Sequence, residues 1–230
     1  MSLQTLREEV YEANLEIVRR GLVLYTFGNA SGIDRASGLV AIKPSGVPYE
    51  RLTPVDLVIV DIDGKRVEGT LRPSSDLPTH LVLYREFASV GGVVHTHSRY
   101  ATAWGQARRE IPCLGTTHAD YFYGPVPVTD PMPAAEIESV YEHNTGLAIV
   151  RRFQGLDPLQ VPGVLVSNHG PFAWGKDAAD AAHHAVILEE IALIALQSVM
   201  LGDPQPVPQV LLDKHFLRKH GPKSYYGQPK

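Results

Sequence analysis

The sequence predicts a single α/β domain spanning residues 1–230, with a mixed, largely antiparallel central sheet flanked by helices. Short β-prone runs alternate with glycine-rich turns across residues 21–70, a pattern typical of antiparallel strands. Segments with helical spacing are then interleaved with further strand candidates. A chain of 230 residues is long enough for one large core, whereas two small domains would need a visible linker.

The first third of the chain begins with a helix. Thr5 and Glu8 fit a capping box, apolar residues recur at helical spacing after it, and Gly21 ends the helix. Antiparallel strands follow, with a turn at the Asp-Gly pair of residues 63–64. The segment RPSSDLPTHLVLYREF returns to helical spacing, and its start signals place the beginning of a helix near Ser75.

The rest of the chain alternates strands and helices. GGVVHTHS predicts a strand and RYATAWGQARR a helix, and the aromatic, proline-rich stretch from Ile111 to Pro133 predicts a long ordered loop. LAIVRRF and GVLVSNHGPFAWG are two further strand candidates. A long apolar helix from Ala178 to Leu201 is ended by three nearby prolines, and a basic tail of about residues 209–230 closes the chain.

Composition restricts the classes of function. The formal net charge of -4 offers no general attraction to nucleic acid, so a small anionic substrate would need a locally basic site. Charged residues interrupt the apolar helix, which we interpret as a buried or interface helix rather than a membrane span. The N-terminus lacks the apolar core of a signal peptide. The single cysteine, Cys113, suits a reducing cytoplasm, and we expect it to pack as a small core residue.

Four residues could bind a metal ion. His95 and His97 lie two residues apart in a strand, so their side chains point to one face and can converge on one ion. Hydrogen bonding at the strand end explains a His-x-His pair equally well. His169 would lie in an Asn-His-Gly turn at a sheet edge, and Asp76 stands at a helix start, where capping is the common role of aspartate. Three histidines and a carboxylate together would suit zinc and other borderline divalent ions.

Three turns could bind a phosphate group, although each alone is also a commonplace turn or cap. The backbone N–H groups and dipole of the predicted helix start attract anions, and two serines add hydroxyl donors. The candidates are Gly28 and Asn29 in TFGNASG, Lys43, Ser45 and Gly46 in IKPSGV, and Ser74 and Ser75 in PSSD.

The loop GTTHADYFYG offers donors, acceptors and a carboxylate for proton transfer, in Thr116, Thr117 and Asp120. Surface aspartates are more often simply solvated. The tyrosine pair at residues 225–226 suits a subunit contact, and a phenol can also transfer a proton.

The ordered blocks GNASG, IKPSGV, PSSDLPTH, GGVVHTHSRYATAW, GTTHADYFYG, PGVLVSNHGPFAWG and LLDKHFLRKHGPKSYYGQ resemble the L-ribulose-5-phosphate 4-epimerases of the class II aldolase superfamily, essentially end to end. The resemblance implies a three-layer fold and a zinc site, with Mn²⁺ or Co²⁺ as other suitable ions. Its metal ligands would be Asp76, His95, His97 and His169. Its phosphate contacts would be Gly28, Asn29, Ser45, Gly46, Ser74 and Ser75, with Lys43, Thr116, Thr117, His215 and Arg218 near the pocket.

The activity implied is interconversion of L-ribulose 5-phosphate and D-xylulose 5-phosphate by cleavage of the C3–C4 bond and re-addition to the other face of the aldehyde. Asp120 and Tyr226 would transfer protons, with Tyr226 supplied by the tail of a neighbouring subunit in a homotetramer. Glu142 is a further candidate for a substrate contact. The chain departs from the family at Asn168 and is less family-like from Pro131 to Gln160.

Two alternative functions remain at this point. A class II aldolase acting on a ketose 1-phosphate such as L-fuculose 1-phosphate usually has glutamate where this chain has Asp76. A non-catalytic scaffold resembling the adducin head would not need to keep a full ligand set. The sequence does not distinguish arabinose, ascorbate or another sugar as the source of the ketose.

Overall fold

The central feature is a seven-stranded sheet. The computed structural model describes residues 2–221, 224, 225 and 227 of the chain. The strands are β1 (Asn29–Asp34), β2 (Leu39–Ile42), β3 (Val58–Asp61), β4 (Arg66–Glu68), β5 (Gly92–His95), β6 (Gly163–Leu165) and β7 (Pro171–Gly175). Their order is β4-β3-β2-β1-β5-β7-β6, and each neighbouring pair is antiparallel. A single parallel bridge joins Val128, which belongs to no strand, to Leu165 of β6. The predicted largely antiparallel sheet is therefore confirmed.

Helices cover both faces of this sheet. They are α1 (Leu3–Arg19), α2 (Leu77–Glu86), α3 (Arg99–Gln106), α4 (Thr116–Ala119), α5 (Ala134–Ile137), α6 (Tyr141–Arg152), α7 (Ala178–Leu201) and α8 (Gln209–His220). Gly32 of β1 faces Val10 of α1, whereas the adjacent Ser31 hydrogen-bonds His80 and Tyr84 of α2. Neighbouring strand residues point to opposite faces, so α1 and α2 lie on opposite sides of the sheet. With α7 beside α1 and α6 on α2, the result is three layers.

The first helix is capped one turn earlier than the sequence suggests. Ser2, not Thr5, is the N-cap, and its hydroxyl oxygen accepts the backbone N–H of Thr5 at 3.0 Å. An N-cap side chain accepts the amide of the second or third helical residue, and serine serves this purpose as well as threonine does. The predicted stop is confirmed, because Gly21 follows the helix with a φ of 71°, a conformation that favours glycine.

One predicted strand is wrong. LAIVRRF belongs to α6, in which Thr145, Ala148 and Ile149 recur at helical spacing and are buried. Gly146 allows α6 to approach α2, because a Cβ there would lie 2.7 Å from the Cβ of Val82. A run as short as LAIVRRF can fit a strand or a helix, and helical spacing becomes visible only over the full length of α6. The other candidate, in GVLVSNHGPFAWG, is a strand before the predicted Asn-His-Gly turn, β6, and the residues after the turn form β7, which pairs with it as a hairpin.

The long helix α7 packs on β5 and β7 and beside α1, as expected of a buried helix. By length and composition alone it could also cross a membrane. Most of its buried side chains are small and apolar, which allows close contact with the sheet, as at Ala181, Ala185, Ala192 and Ala195.

The basic tail contains a helix that the sequence did not predict. This helix, α8, packs on α4, where buried Cys113 lies in a small apolar cluster with Ala119 and Leu212. The burial of Cys113 confirms its predicted place in the core.

Candidate active site

Three histidines meet at one edge of the sheet. His95 is the last residue of β5 and is paired with Asn29 of β1 on one side and Phe172 of β7 on the other. His97 follows two residues later, and His169 lies in the turn between β6 and β7. One ring nitrogen of each lies within 4.8 Å of the other two, and the Nε2 atoms of His95 and His97 are 3.1 Å apart. The sequence-predicted histidines therefore converge.

The chemistry of this triad fits a divalent ion. The Nδ1–H of His95 donates to the carbonyl oxygen of Pro171 at 3.0 Å, which leaves Nε2 facing the other rings. Burial lowers the pKa of His95 to about 3, and burial also lowers the pKa of His169. Neutral imidazoles are the form that binds metal, so the ligand form is already present at neutral pH.

Asp76 occupies the N-cap position of α2, but its side chain makes no capping hydrogen bond. Its carboxylate instead accepts a hydrogen bond of 2.7 Å from the Nδ2 of Asn29. Burial opposes ionisation of Asp76, yet nearby His95 and His80 and the Asn29 bond outweigh it, and the pKa of the carboxyl lies below its ordinary value. Asp76 is not within the 4.8 Å set, but it lines the same cavity.

This cavity has a volume of about 370 Å³ and joins the predicted metal and phosphate residues. Two of the three phosphate turns, that of Ser45 and that of Ser74, are held together by an antiparallel bridge between Pro44 and Pro73 and by the Ser74 N–H bond to the Lys43 carbonyl. The sequence-predicted residues that line the cavity are Gly28, Asn29, Lys43, Ser45, Gly46, Ser74, Ser75, Asp76, His95, His97 and His169.

Two residues of the cavity lining, Gly28 and Lys43, are closely surrounded by other protein atoms. Gly28 has a φ of 78°, and a Cβ there would lie 2.8 Å from the carbonyl oxygen of His95. Lys43 is 1% exposed, and its ammonium donates to the carbonyl oxygen of Val47 at 2.9 Å. Burial lowers the pKa of Lys43 to about 8. This value is still above neutral pH, so the ammonium group remains mostly charged. The cavity wall therefore carries a cation close to the serine turns.

The segment after His97 is fixed at both ends. His95 is held in the sheet, and the carboxylate of Glu189 on α7 accepts the backbone N–H groups of Tyr100 and Ala101 at 2.9 Å each. These are amides of the first turn of α3, which have no partner within their own helix. Glu189 therefore caps α3 from a helix that lies almost ninety residues later, and holds the loop of His97 in place.

Asp120 belongs to a second cluster. Its carboxylate accepts hydrogen bonds from Arg218 at 2.9 Å on each oxygen and from His215 at 2.9 Å, and Lys219 lies 3.4 Å away. Burial would raise the pKa of Asp120, but the bonds from Arg218 and His215 and the charge of Lys219 outweigh it, so the pKa is lowered. The carboxylate is thus ionised at neutral pH.

The second cluster does not share the triad's cavity. Among the described residues, the cavity lining includes none of the predicted Thr116, Thr117, Asp120, His215 and Arg218. Thr116 begins α4, and Thr117 lines a separate small cavity against Ile191 and Ile194. Tyr226 lies outside the described residues.

Comparison with known proteins assigns the family. Residues 8–196 match the family described as Class II Aldolase and Adducin N-terminal domain. The chain belongs to this class II aldolase family. L-ribulose-5-phosphate 4-epimerase UlaF from Salmonella paratyphi B is 53% identical over 227 residues, which are 98% of this chain and 100% of that protein. The resemblance stated from the sequence is confirmed.

Solved structures of class II aldolases share the fold. An L-fuculose 1-phosphate aldolase has a TM-score of 0.77 and 26% identity, over 92% of this chain and 94% of that chain. The L-fuculose-1-phosphate aldolase from Thermus thermophilus has a TM-score of 0.68 and 26% identity, over 85% and 96% of the two chains. The three-layer class II aldolase fold is therefore confirmed for this chain.

Sequence reasoning missed three residues of this class II aldolase site. Thr26 and Phe27 line the cavity, and the Phe27 ring stacks on His97 with centroids 6.1 Å apart. The phenol oxygen of Tyr141 lies 3.5 Å from Nδ1 of His169. Tyr141 begins the helix whose second half was interpreted as a strand, and helical spacing in that segment was the signal that could have found it.

Proposed function

We propose that the chain is a zinc-dependent epimerase that interconverts L-ribulose 5-phosphate and D-xylulose 5-phosphate by cleaving and re-forming the C3–C4 bond. The observation that carries the proposal is that one cavity contains both the histidine triad with Asp76 and the serine turns around Lys43. A phosphorylated ketose needs both kinds of site at once. The 53% identity to an L-ribulose-5-phosphate 4-epimerase supports this substrate over other sugar phosphates.

The phosphate group would bind at the turns of Ser45, Gly46, Ser74 and Ser75. Hydroxyl groups and backbone N–H groups at the start of α2 can donate to phosphate oxygens, and the positive end of the helix dipole favours the anion. Lys43 adds a positive charge from the cavity wall.

Asp76, His95, His97 and His169 would hold the ion at the carbonyl end of the ketose. When bound, a divalent ion supplies Lewis-acid stabilisation of the negative charge that carbon–carbon cleavage leaves on the ketone fragment. Asn29 orients the Asp76 carboxylate through its 2.7 Å hydrogen bond, and Pro171 fixes the ring of His95. Zinc is proposed as the ion because three imidazoles and one carboxylate suit it.

Proton transfer at the C4 hydroxyl is proposed for Asp120 and Tyr226. Because Asp120 does not line the cavity of its own chain, it can act there only if a second copy completes the site. We therefore propose a homotetramer with active sites between subunits, in which the Asp120 cluster of one copy faces the cavity of its neighbour. Arg218 and His215 keep Asp120 ionised, the form that accepts a proton. We expect a cytoplasmic location and no nucleic-acid partner.

A ketose 1-phosphate aldolase is the second candidate, favoured by the structural similarity to L-fuculose 1-phosphate aldolase. One coupled assay separates the two. Production of D-xylulose 5-phosphate from L-ribulose 5-phosphate, lost on adding a chelator and restored by Zn²⁺, supports the epimerase. Release of glycerone phosphate and lactaldehyde from L-fuculose 1-phosphate, with no xylulose 5-phosphate from ribulose phosphate, would identify an aldolase. A non-catalytic scaffold would turn over neither sugar and retain no divalent ion.

A further inference from the structure

Tyr141 is a half-buried tyrosine at the border of the metal-ligand candidates. It is the first residue of α6, and its phenol oxygen lies 3.5 Å from Nδ1 of His169. Burial, together with the negative charges of Glu142 and Asp76, raises the pKa of Tyr141. The side chain therefore stays a neutral phenol at physiological pH, able to accept one hydrogen bond and donate another.

The start of α6 is attached to α2 rather than to the turn that carries His169. The hydroxyl of Thr79 on α2 donates to the carbonyl oxygen of Glu142, and the hydroxyl of Thr145 donates to the carbonyl oxygen of Tyr141 at 2.9 Å. Thr79 lies three residues after Asp76 on the same helix. The first turn of α6, which carries the phenol, is therefore attached to the helix that has Asp76 as its N-cap.

His95 and His169 differ in what orients them. The Nδ1–H of His95 donates to a backbone carbonyl inside the sheet, and this leaves Nε2 for an ion. His169 lies in a turn, beside Asn168, whose φ is 59°. The group that faces the Nδ1 of His169 is the phenol of Tyr141. A metal-binding histidine commonly needs such an acceptor on its other nitrogen to fix the ring and its tautomer.

We propose that Tyr141 is a positioning residue that accepts the Nδ1–H of His169 and holds its Nε2 toward the ion site. This inference rests on the metal site of the proposed function. It links the two ligand candidates that come from different layers, because the helix that carries the phenol is hydrogen-bonded to α2, which follows Asp76, while the phenol itself contacts His169. Removing the phenol oxygen would leave the ring free to rotate and to exchange tautomers.

Zinc affinity of the full-length protein tests this inference. The protein is stripped with a chelator, and Zn²⁺ is titrated in competition with a chromophoric chelator. We expect Tyr141→Phe to bind Zn²⁺ about tenfold more weakly than wild type, since the loss of such a partner typically weakens metal binding by about 10–100-fold. Tyr11→Phe is the matched control, because Tyr11 is also partly buried but packs in α1 against the core.

Ring-nitrogen NMR of the metal-free protein separates positioning from general packing. We expect one Nδ1–H tautomer for His169 in wild type and in Tyr11→Phe, and a mixture of tautomers in Tyr141→Phe. Equal zinc affinity and an unchanged tautomer in Tyr141→Phe would overturn the inference while leaving the proposed function standing. If the wild-type protein itself fails to bind Zn²⁺, the proposed function fails and takes this inference with it.

Discussion

Replacing Gly28 by alanine should disturb the site through a single added carbon. Gly28 has a φ of 78°, and its Cβ would lie 2.8 Å from the His95 carbonyl oxygen and 2.9 Å from a methyl group of Val23. Gly38, in the turn between β1 and β2, has a φ of 70° but nothing within 4 Å of its Cβ position. Alanine would therefore be strained by the same left-handed backbone at both positions, and only at Gly28 would it also press against the strand that carries His95.

The size of the effect follows from this difference. A left-handed conformation costs an L-residue about 1–2 kcal/mol, which is the whole loss expected for Gly38→Ala. Overpacking against a backbone atom adds about 1–3 kcal/mol, so Gly28→Ala should lose about 2–5 kcal/mol. For a chain of this length each kcal/mol lowers the Tm by about 2–4 °C.

Thermal unfolding of both variants, at one protein concentration and in chelator, measures this difference without a contribution from bound metal. The zinc affinity, measured against a competing chelator, then reports whether displacement of the His95 backbone also displaces the His95 ring. We expect weaker zinc binding only in Gly28→Ala. Equal Tm losses in the two variants, together with equal zinc affinities, would refute the argument that close packing at Gly28 fixes His95.

Three further predictions address the metal, the proton carrier and acid stability. His97→Asn should lose both bound Zn²⁺ and turnover while its Tm in chelator stays near wild type; metal analysis that finds one ion per chain would contradict this. Tyr226→Phe should retain the ion and lose most epimerisation, and full activity in this variant would remove the phenol from the mechanism. Burial lowers the pKa of His118 from 6.5 to about 4, so the unfolded chain binds a proton first and stability falls as the pH drops from 6.5 toward 4. His118→Gln should flatten that decline in urea midpoints measured from pH 7 to pH 5, and an unchanged slope would show that His118 does not contribute.

Much of the cavity could be predicted because its residues carry local signals. His95 and His97 lie two residues apart in a predicted strand, and period-two geometry predicts both rings on one face. In the structure β5 ends at His95 and His97 lies just after it, and the two rings still converge. For Asp76 the sequence alone was consistent with either a helix cap or a metal ligand. The absence of a capping bond and the hydrogen bond from Asn29 are tertiary facts that favour the second role.

The parts that could not be predicted depend on contacts across the chain. The carboxylate of Asp120 is bound by His215 and Arg218, nearly one hundred residues later, and no local pattern indicates which of many surface aspartates has such partners. Tyr141 was missed for a different reason. A β-prone run within α6 was interpreted as a strand, and tertiary packing against α2 overrode that local preference.

The capping of α3 by Glu189 has a consequence for how an ion would enter the site. The loop carrying His97 is fixed at both ends. It follows β5, which is paired with a strand on each side, and it precedes α3, whose first amides donate to the Glu189 carboxylate. Little chain entropy is then left to lose when the rings close around an ion. Loading would resemble that of a rigid chelator rather than the metal-driven folding of a zinc finger. Such a cage would survive removal of its ion, and different divalent ions could be compared in it without refolding the protein.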